Sequence, residues 1–279
     1  QELLSILQHE AELTADPAEA VSYQYRIAEL YEKRLGDVER AVELYRDILN
    51  VIAEHEPTLA ALEGIKLGEV APLAAASVLE PVYDASGAWT KLVSVLEVQV
   101  RFADDAFTKV ELLHRIARLY EECLQDHRSA FDTYARAVAF DSQNEETLGS
   151  LERLGNLLGQ WGAVATLYDQ ELDKLGEDPD RLVELGLRVA QVYEVQLENV
   201  DGAVARYRRV LAAQSDNQTA VQALDRLFTL SERWGDLADV LSREAEIGES
   251  PEEILEFKYR LGQVYQHRLG DVAQAINAY

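Results

Sequence analysis

Arg115-Ile116-Ala117-Arg118-Leu119-Tyr120 is a stretch whose pattern occurs four times along the chain. Each copy consists of Arg, an aliphatic residue, Ala or Gly, any residue, an aliphatic residue and Tyr, and the other copies begin at Arg26, Arg188 and Arg260. The terminal tyrosines are 89, 73 and 72 residues apart. A pattern that recurs at such a period indicates a repeat architecture, in which each unit packs mainly on its neighbours.

Two helices are predicted around each copy. Fifteen residues before each terminal Tyr stands a good N-cap residue, namely Asp16, Asp105, Asp178 or Ser250. Pro follows three of these caps, and Glu19 and Glu253 are placed to complete capping boxes. The next helix carries Ala and Tyr four residues apart on one face, in the pairs Ala41/Tyr45, Ala130/Tyr134, Ala203/Tyr207 and Ala275/Tyr279. We call the two the Arg-Tyr helix and the Ala-Tyr helix, and we predict that they form an antiparallel pair.

A second kind of helix pair alternates with the first and contains the three tryptophans. Trp89, Trp161 and Trp234 are 72 and 73 residues apart, and apolar residues follow each of them at the third, sixth and seventh positions. That spacing marks one face of an α-helix. Each Trp is therefore interpreted as part of the packing between helices.

The period is broken once, by 17 additional residues between Tyr31 and Tyr120. The excess falls at about residues 57–73 and defines an inserted helical region over residues 57–87. We expect one helix over Leu59 to Leu67 and another over Ala71 to Tyr83, with Pro81 ending or kinking the latter. The insertion either reshapes the local curvature or is neutral.

Composition restricts the classes of function. The chain of 279 residues carries a net charge of −25, which disfavours binding to nucleic acids and to anionic membranes and suits a basic partner. Its one cysteine, Cys123, can form neither an intrachain disulfide nor a cysteine-based metal site. No apolar run is long enough to span a bilayer, so neither membrane insertion nor a signal peptide is predicted. A cytoplasmic location is expected, although a signal upstream stays open.

Both ends of the sequence fall inside repeats, so residues 1–279 are expected to form a single repeat array within a longer chain. The 20 Arg against 6 Lys suggest a bacterial source. The predicted fold is all-α, a right-handed superhelical α-solenoid of antiparallel helix pairs with about 16 helices.

The order of these residues resembles the tetratricopeptide repeat. Ile116-Ala117 and Tyr120 match the family's first-helix positions, and Ala130 and Tyr134 match those of its second helix. Residues 141–144 resemble its Asp-Pro-x-Asn ending with Ser in place of Pro. The turn between the helices is one residue longer than in the family, and the Trp-containing units lack most of the consensus. The resemblance implies a superhelical scaffold that binds peptides or proteins along a concave groove.

The resemblance also implies three rows of groove residues on the Arg-Tyr helices. The first row is Tyr25, His114, Leu187 and Tyr259. The second row follows each Tyr and comprises Glu32, Glu121, Glu194 and Gln266. The third row comprises Glu111, Glu184 and Glu256. Stacked glutamates beside aromatic rings suit a basic peptide, whereas the alternative is an ordinary solvated helix face. The repeated arginines are interpreted as structural, pairing carboxylates between neighbouring helices.

The sequence contains no recognisable catalytic or metal-binding motif. The five histidines form no metal-binding motif, no phosphate loop or nucleophile elbow is present, and no cofactor is predicted. We therefore predict a non-catalytic protein–protein interaction scaffold within a larger bacterial assembly. The alternatives are a ligand- or peptide-sensing module of a multidomain regulator, self-association through the open repeat ends, and a helical glycosidase. The last would need a pocket with two carboxylates and an aromatic floor.

Overall fold

The chain is all-α over residues 2–175, 178–248 and 250–279, which are the residues that the computed structural model describes. These residues form sixteen α-helices and no strand, so the predicted class is confirmed. The helices are α1 (Glu2–Leu13), α2 (Pro17–Leu30), α3 (Val38–Val51), α4 (Glu56–Leu67), α5 (Pro72–Ser86), α6 (Trp89–Phe102), α7 (Ala106–Arg118), α8 (His127–Val138), α9 (Glu145–Leu158), α10 (Trp161–Lys174), α11 (Pro179–Gln191), α12 (Val200–Ala213), α13 (Gln218–Leu230), α14 (Trp234–Ile247), α15 (Pro251–Val264) and α16 (Val272–Ala278). None of the helices within this described part is both long enough and apolar enough to cross a membrane.

The predicted caps begin the Arg-Tyr helices α2, α7, α11 and α15. Asp105 accepts a 2.8 Å hydrogen bond from the Thr108 amide, and Asp16 and Asp178 accept equivalent bonds in the first turns of their helices. Ser250 and Glu253 form the reciprocal capping box. The second expected box does not form, because Glu19 accepts a 2.7 Å bond from the Thr14 hydroxyl instead.

A π-helical segment ends each Arg-Tyr helix. The four segments are Tyr31–Leu35, Leu119–Cys123, Val192–Gln196 and Tyr265–Leu269. In such a turn the amide of residue i bonds the carbonyl of residue i−5, as Leu124 N does to Leu119 O at 3.0 Å. The wider turn accommodates the extra residue noted in the sequence. The fifth residue after each Tyr is then left-handed, with φ between 49° and 71°: Gly36, Gln125, Glu198 and Gly270.

Four helices, α3 to α6, lie between the first two Arg-Tyr helices, whereas three lie in each of the next two intervals. Pro81 lies inside α5, which continues to Ser86. Of the two expected effects of Pro81, ending or kinking the helix, the first is therefore excluded. Proline removes one backbone hydrogen bond, but Leu79 and Tyr83 on either side of it are buried, and their packing outweighs that loss.

The chain forms two compact units, Gln1–Thr147 and Leu148–Tyr279. In each unit, consecutive helices pack as antiparallel pairs around a core that contains the recurring small residue and tyrosine of the Ala-Tyr helices. Tyr45 is fully buried in the first unit and Tyr207 nearly so in the second. The apolar stripe behind each Trp is likewise buried, and Trp89 and Trp234 pack against these cores while remaining half-buried.

Candidate functional site

Three of the four repeated arginines, Arg115, Arg188 and Arg260, pair with carboxylates 35 or 36 residues upstream. Arg115 contacts Glu80, and Arg188 Nε donates a 2.6 Å bond to Glu152 Oε1. Arg260 makes the most complete contact, because Nη1 and Nη2 donate parallel 2.8 Å bonds to the two carboxylate oxygens of Asp225. A bidentate pair of this kind joins two helices in a defined orientation. The structural interpretation of these arginines agrees with these contacts.

Glu80 shows the electrostatic effect of such a pair. Burial acts to raise the pKa of the Glu80 carboxyl, but hydrogen bonds from Gln99 and Arg115 outweigh burial and leave that pKa lowered. The Gln99 amide donates to Glu80 Oε2 at 2.5 Å. Glu80 is therefore an ionised carboxylate that holds α5 to α6 and α7.

The second predicted row is largely engaged by the Ala-Tyr helices. Tyr45 Oη donates to Glu32 at 2.6 Å, Tyr207 Oη donates to Glu194 at 2.9 Å, and Tyr279 Oη donates to Gln266 at 3.2 Å. Burial, followed by the adjacent glutamate, raises the pKa of Tyr45 and of Tyr207. Glu121 occupies the corresponding position in its repeat and is half-buried. These side chains therefore hold neighbouring helices together.

The first predicted row packs against the same tyrosines. Tyr25 lies 5.8 Å from Tyr45 between ring centroids, His114 lies 5.5 Å from Tyr134, and Tyr259 lies 5.8 Å from Tyr279. Leu187 is half-buried against the core of the second unit.

His114 is the most enclosed member of this row. It is 1% exposed, and its Nε2 lies 2.6 Å from the Thr147 hydroxyl. Burial lowers the pKa of the imidazole. His114 is consequently a packed neutral side chain. Tyr259, in contrast, is the exposed member of the row.

The third predicted row is exposed to solvent. Glu111, Glu184 and Glu256 each lie on the second turn of an Arg-Tyr helix, four residues before the repeated arginine. The first two line pockets of similar composition. One pocket, of about 440 Å³, contains Glu111 with Arg115, Leu112 and Leu119; the other, of about 390 Å³, contains Glu184 with Arg188, Leu187 and Val192. A glutamate, an arginine and aliphatic side chains therefore recur one repeat apart.

The pocket at Glu184 also contains Glu152 and Trp161, so it brings together the two carboxylates and the aromatic side chain that a glycosidase would need. Glu152, however, accepts hydrogen bonds from Arg188 at 2.6 Å and from the Tyr168 hydroxyl at 3.2 Å. That carboxylate is thus committed to holding α9 against its neighbours. Across the described ranges, no group of three or more His, Cys, Asp or Glu side chains could hold a metal ion.

Sequence reasoning missed Glu244 on α14. This residue is 4% exposed, and it lines a small cavity between α13, α14 and α15. Burial and the nearby Asp225 raise its pKa to about 7, against the opposing effect of Arg260. The signal was present in the repeat alignment, because Gln99, Glu171 and Glu244 occupy one position at intervals of 72 and 73 residues.

Comparison with known proteins identifies one repeat directly. Residues 22–51 match the family model of the tetratricopeptide repeat. They comprise most of α2, the π-helical segment and all of α3, which form one Arg-Tyr helix and its Ala-Tyr partner. No curated protein sequence matches the chain.

Solved structures, two of them of tetratricopeptide proteins, are similar to most of the chain. The C-terminal part of a tetratricopeptide-containing protein from Cytophaga hutchinsonii is 12% identical, with 84% of this chain and 92% of that chain covered and a TM-score of 0.37. BtubC from P. vanneervenii is 16% identical over 93% and 88% of the two chains, with a TM-score of 0.30. A tetratricopeptide protein from Parabacteroides merdae is 12% identical over 93% and 91%, also with a TM-score of 0.30.

Proposed function

We propose that this chain, an array of degenerate tetratricopeptide repeats, is a non-catalytic scaffold that binds a basic peptide or protein segment. Within each unit, the segment would lie on the exposed faces of the Arg-Tyr helices, α2 and α7 in the first and α11 and α15 in the second. Its basic side chains would meet the third row of glutamates, and its apolar side chains would enter the adjoining pockets. Such a scaffold could serve a larger bacterial assembly.

The recurring pocket carries this proposal. Pockets at Glu111 and Glu184 share a glutamate, an arginine and aliphatic side chains, and Glu256 stands at the same position of α15. Repetition of one chemical environment at a fixed period suits a ligand that is itself extended. The arginine of each pocket is paired with a carboxylate, Arg115 with Glu80 and Arg188 with Glu152, whereas Glu111 and Glu184 are exposed to solvent.

The net charge of −25 supports a cationic partner. A field of this sign attracts basic segments and raises their association rate, and it repels nucleic acids. Specific binding nevertheless requires placement of charge, because a uniformly acidic protein attracts any cation. Charge placement is therefore what an experiment must separate from total charge.

The test is a matched pair of charge reversals. The first variant carries Glu111→Lys, Glu184→Lys and Glu256→Lys. The second carries Glu39→Lys, Asp47→Lys and Asp239→Lys, which change the net charge equally at exposed positions on α3 and α14. Binding of a fluorescent peptide of alternating Lys and Leu would be followed by fluorescence anisotropy. A peptide of alternating Glu and Leu is the control of opposite charge.

We expect the first variant to weaken binding of the Lys/Leu peptide by about tenfold or more and the second by about twofold at most. Circular dichroism would check that both variants remain helical. Equal losses in the two variants would show that total charge, rather than these glutamates, determines binding, and the proposed groove would then be wrong. Failure of the wild-type chain to bind the peptide would contradict the basic-partner proposal.

A further inference from the structure

One oxygen of the buried Glu244 carboxylate, Oε2, has no hydrogen-bond partner among the described residues. The nearest opposite charge, Arg260 on α15, is already engaged by Asp225 of α13 through two 2.8 Å bonds. A buried carboxylate oxygen without a donor is costly, and native proteins rarely leave one unsatisfied. The position therefore lacks one donor.

The cavity beside Glu244 can admit such a donor. It has a volume of about 100 Å³ and lies between α13, α14 and α15. Val221, Ile247 and Phe257 supply apolar walls, and Glu253 supplies a second carboxylate. Apolar walls with acidic groups match a group that has an aliphatic stem and a cationic end, as a lysine side chain does.

The preceding repeat shows the same glutamate with its cation present. Glu171 occupies the position equivalent to Glu244, 73 residues earlier, and is also buried. The ammonium group of Lys174 donates a 2.7 Å hydrogen bond to Glu171 Oε1. The residue equivalent to Lys174 is Ile247. The chain thus satisfies this position internally in one repeat and replaces the lysine by an apolar residue in the next.

We propose that the cavity at Glu244 is a binding site for an alkylammonium group, supplied by a lysine side chain of a partner or by a free primary amine. The ammonium would bond to Glu244 Oε2, and the alkyl stem would pack against Ile247 and Phe257. This site uses none of the three glutamates in the proposed groove. Either proposal can therefore fail without the other.

Binding at this site is linked to pH. Burial and Asp225 raise the pKa of Glu244 to about 7, and Arg260 opposes that rise. Among the described residues, the other charged group that lines the cavity is Glu253 on α15. A cation binds the ionised carboxylate, so a protein that is protonated at Glu244 must release a proton on binding. Affinity should consequently increase between pH 6 and pH 8.

The experiment titrates the intact chain with n-butylammonium chloride and, separately, with Nα-acetyl-lysine methylamide, whose side-chain ammonium is free, at constant ionic strength. Chemical shifts of the Ile247 and Val221 methyl groups report occupancy, and calorimetry in two buffers of different ionisation enthalpy reports proton release. We expect saturable binding at pH 8, binding weakened by about tenfold at pH 6, and none with n-butanol, which lacks the charge. A preference for the lysine derivative would identify a partner side chain as the source, whereas equal affinities would identify a free amine.

Three variants decide the assignment. Glu244→Gln should abolish binding at pH 8, and Ile247→Lys should abolish it by filling the site from within the chain, while Ile247→Leu should retain it. Ile247→Lys should also raise the thermal midpoint at pH 8, which shows that the variant is folded. Absence of saturable binding by the wild-type chain at pH 8, or binding that persists in Glu244→Gln, would overturn the proposal.

Discussion

Arg188 and Glu152 are 36 residues apart in the sequence, and a 2.6 Å hydrogen bond joins Nε of the first to Oε1 of the second. The pair connects α11 to α9, two helices that are separated by α10 along the chain. Arg115 with Glu80 and Arg260 with Asp225 repeat this connection. In the last three copies of the sequence pattern, the arginine therefore joins a helix pair to the preceding one.

A double-mutant cycle on Arg188 and Glu152 should reveal a coupling free energy of about 1 kcal/mol. Both side chains are half-buried, so solvent screens their interaction only in part. The matched control is Arg128 with Asp132, an exposed pair on α8 whose coupling should not exceed about 0.5 kcal/mol. Urea denaturation of the single and double alanine variants measures both values. Equal coupling in the two pairs would show that the repeated arginine stabilises the chain no more than an ordinary exposed ion pair does.

Left-handed residues after the π-helical segments provide a second prediction. Glu198 has φ 49°, a conformation that costs a residue with a side chain about 1 kcal/mol relative to glycine. Glu198→Gly should therefore increase the free energy of unfolding by about that amount. Gln125→Gly should gain less, because the Gln125 amide donates to the carbonyls of Glu121 and Glu122.

The reverse change serves as the control for these turns. Gly36 has φ 71°, and a Cβ there would meet no atom within 4 Å. Gly36→Ala should consequently destabilise the chain by about 1 kcal/mol through backbone strain alone. Urea midpoints of the three variants test the idea. A destabilising Glu198→Gly change would show that the Glu198 side chain contributes more than its backbone strain costs.

The fold could be predicted from the sequence because its determinants are local. Asp105 and Ser250 mark helix starts by residue type, and the Ala-to-Tyr spacing of four residues marks the packed face of the next helix. The π-helical segments could not be predicted in this way. A single extra residue is equally compatible with a longer loop. Glycine indicates the left-handed position at Gly36, but Gln125 and Glu198 occupy the equivalent positions and give no such signal in the sequence.

The site was harder to predict, because it depends on which side chains meet across helices. Glu32 and Glu194 resembled a free acidic ladder, yet each accepts the hydroxyl of a tyrosine 13 residues later. That constant separation was visible in the sequence, but only the turn geometry shows that it brings the two groups together. Glu244 illustrates the same limit. Only the structure shows that its Oε2 has no hydrogen-bond donor among the described residues and that the apolar side chain of Ile247 lines the cavity beside it.

Gly202 supports a prediction about close packing. A Cβ at this position would lie 2.3 Å from Cδ1 of Tyr193. The Tyr193 ring has little freedom to move, because its hydroxyl donates to Asp169 at 2.8 Å and the Arg206 guanidinium lies 4.1 Å from its centroid. Gly202→Ala should therefore destabilise the chain by about 1–3 kcal/mol.

The matched control for Gly202 is Gly149, an exposed position inside α9 where an added Cβ meets no atom within 4 Å. Gly149→Ala should stabilise the chain by about 0.5–1 kcal/mol, since alanine has the higher helix propensity. Thermal and urea unfolding of both variants measure the contrast. Similar effects of the two substitutions would show that the Tyr193 ring moves aside without cost.

Glu244 should make the chain less stable as pH rises through the near-neutral range. Its pKa is about 7 in the folded chain against an ordinary value of 4.5, so between these values the unfolded state loses the proton while the folded state retains it. Stability then falls with rising pH across this window and is level above it, and the total loss is about 3 kcal/mol.

Glu244→Gln should remove this loss, so the variant should be more stable than the wild-type chain at pH 8 and differ little from it at pH 4.5. Glu246→Gln, an exposed substitution on the same helix, is the control, and its difference from the wild-type chain should be small at both pH values. Urea unfolding at intervals of pH measures the differences, and a Glu244→Gln difference that stays constant across the window would show that the buried carboxyl is ionised throughout it.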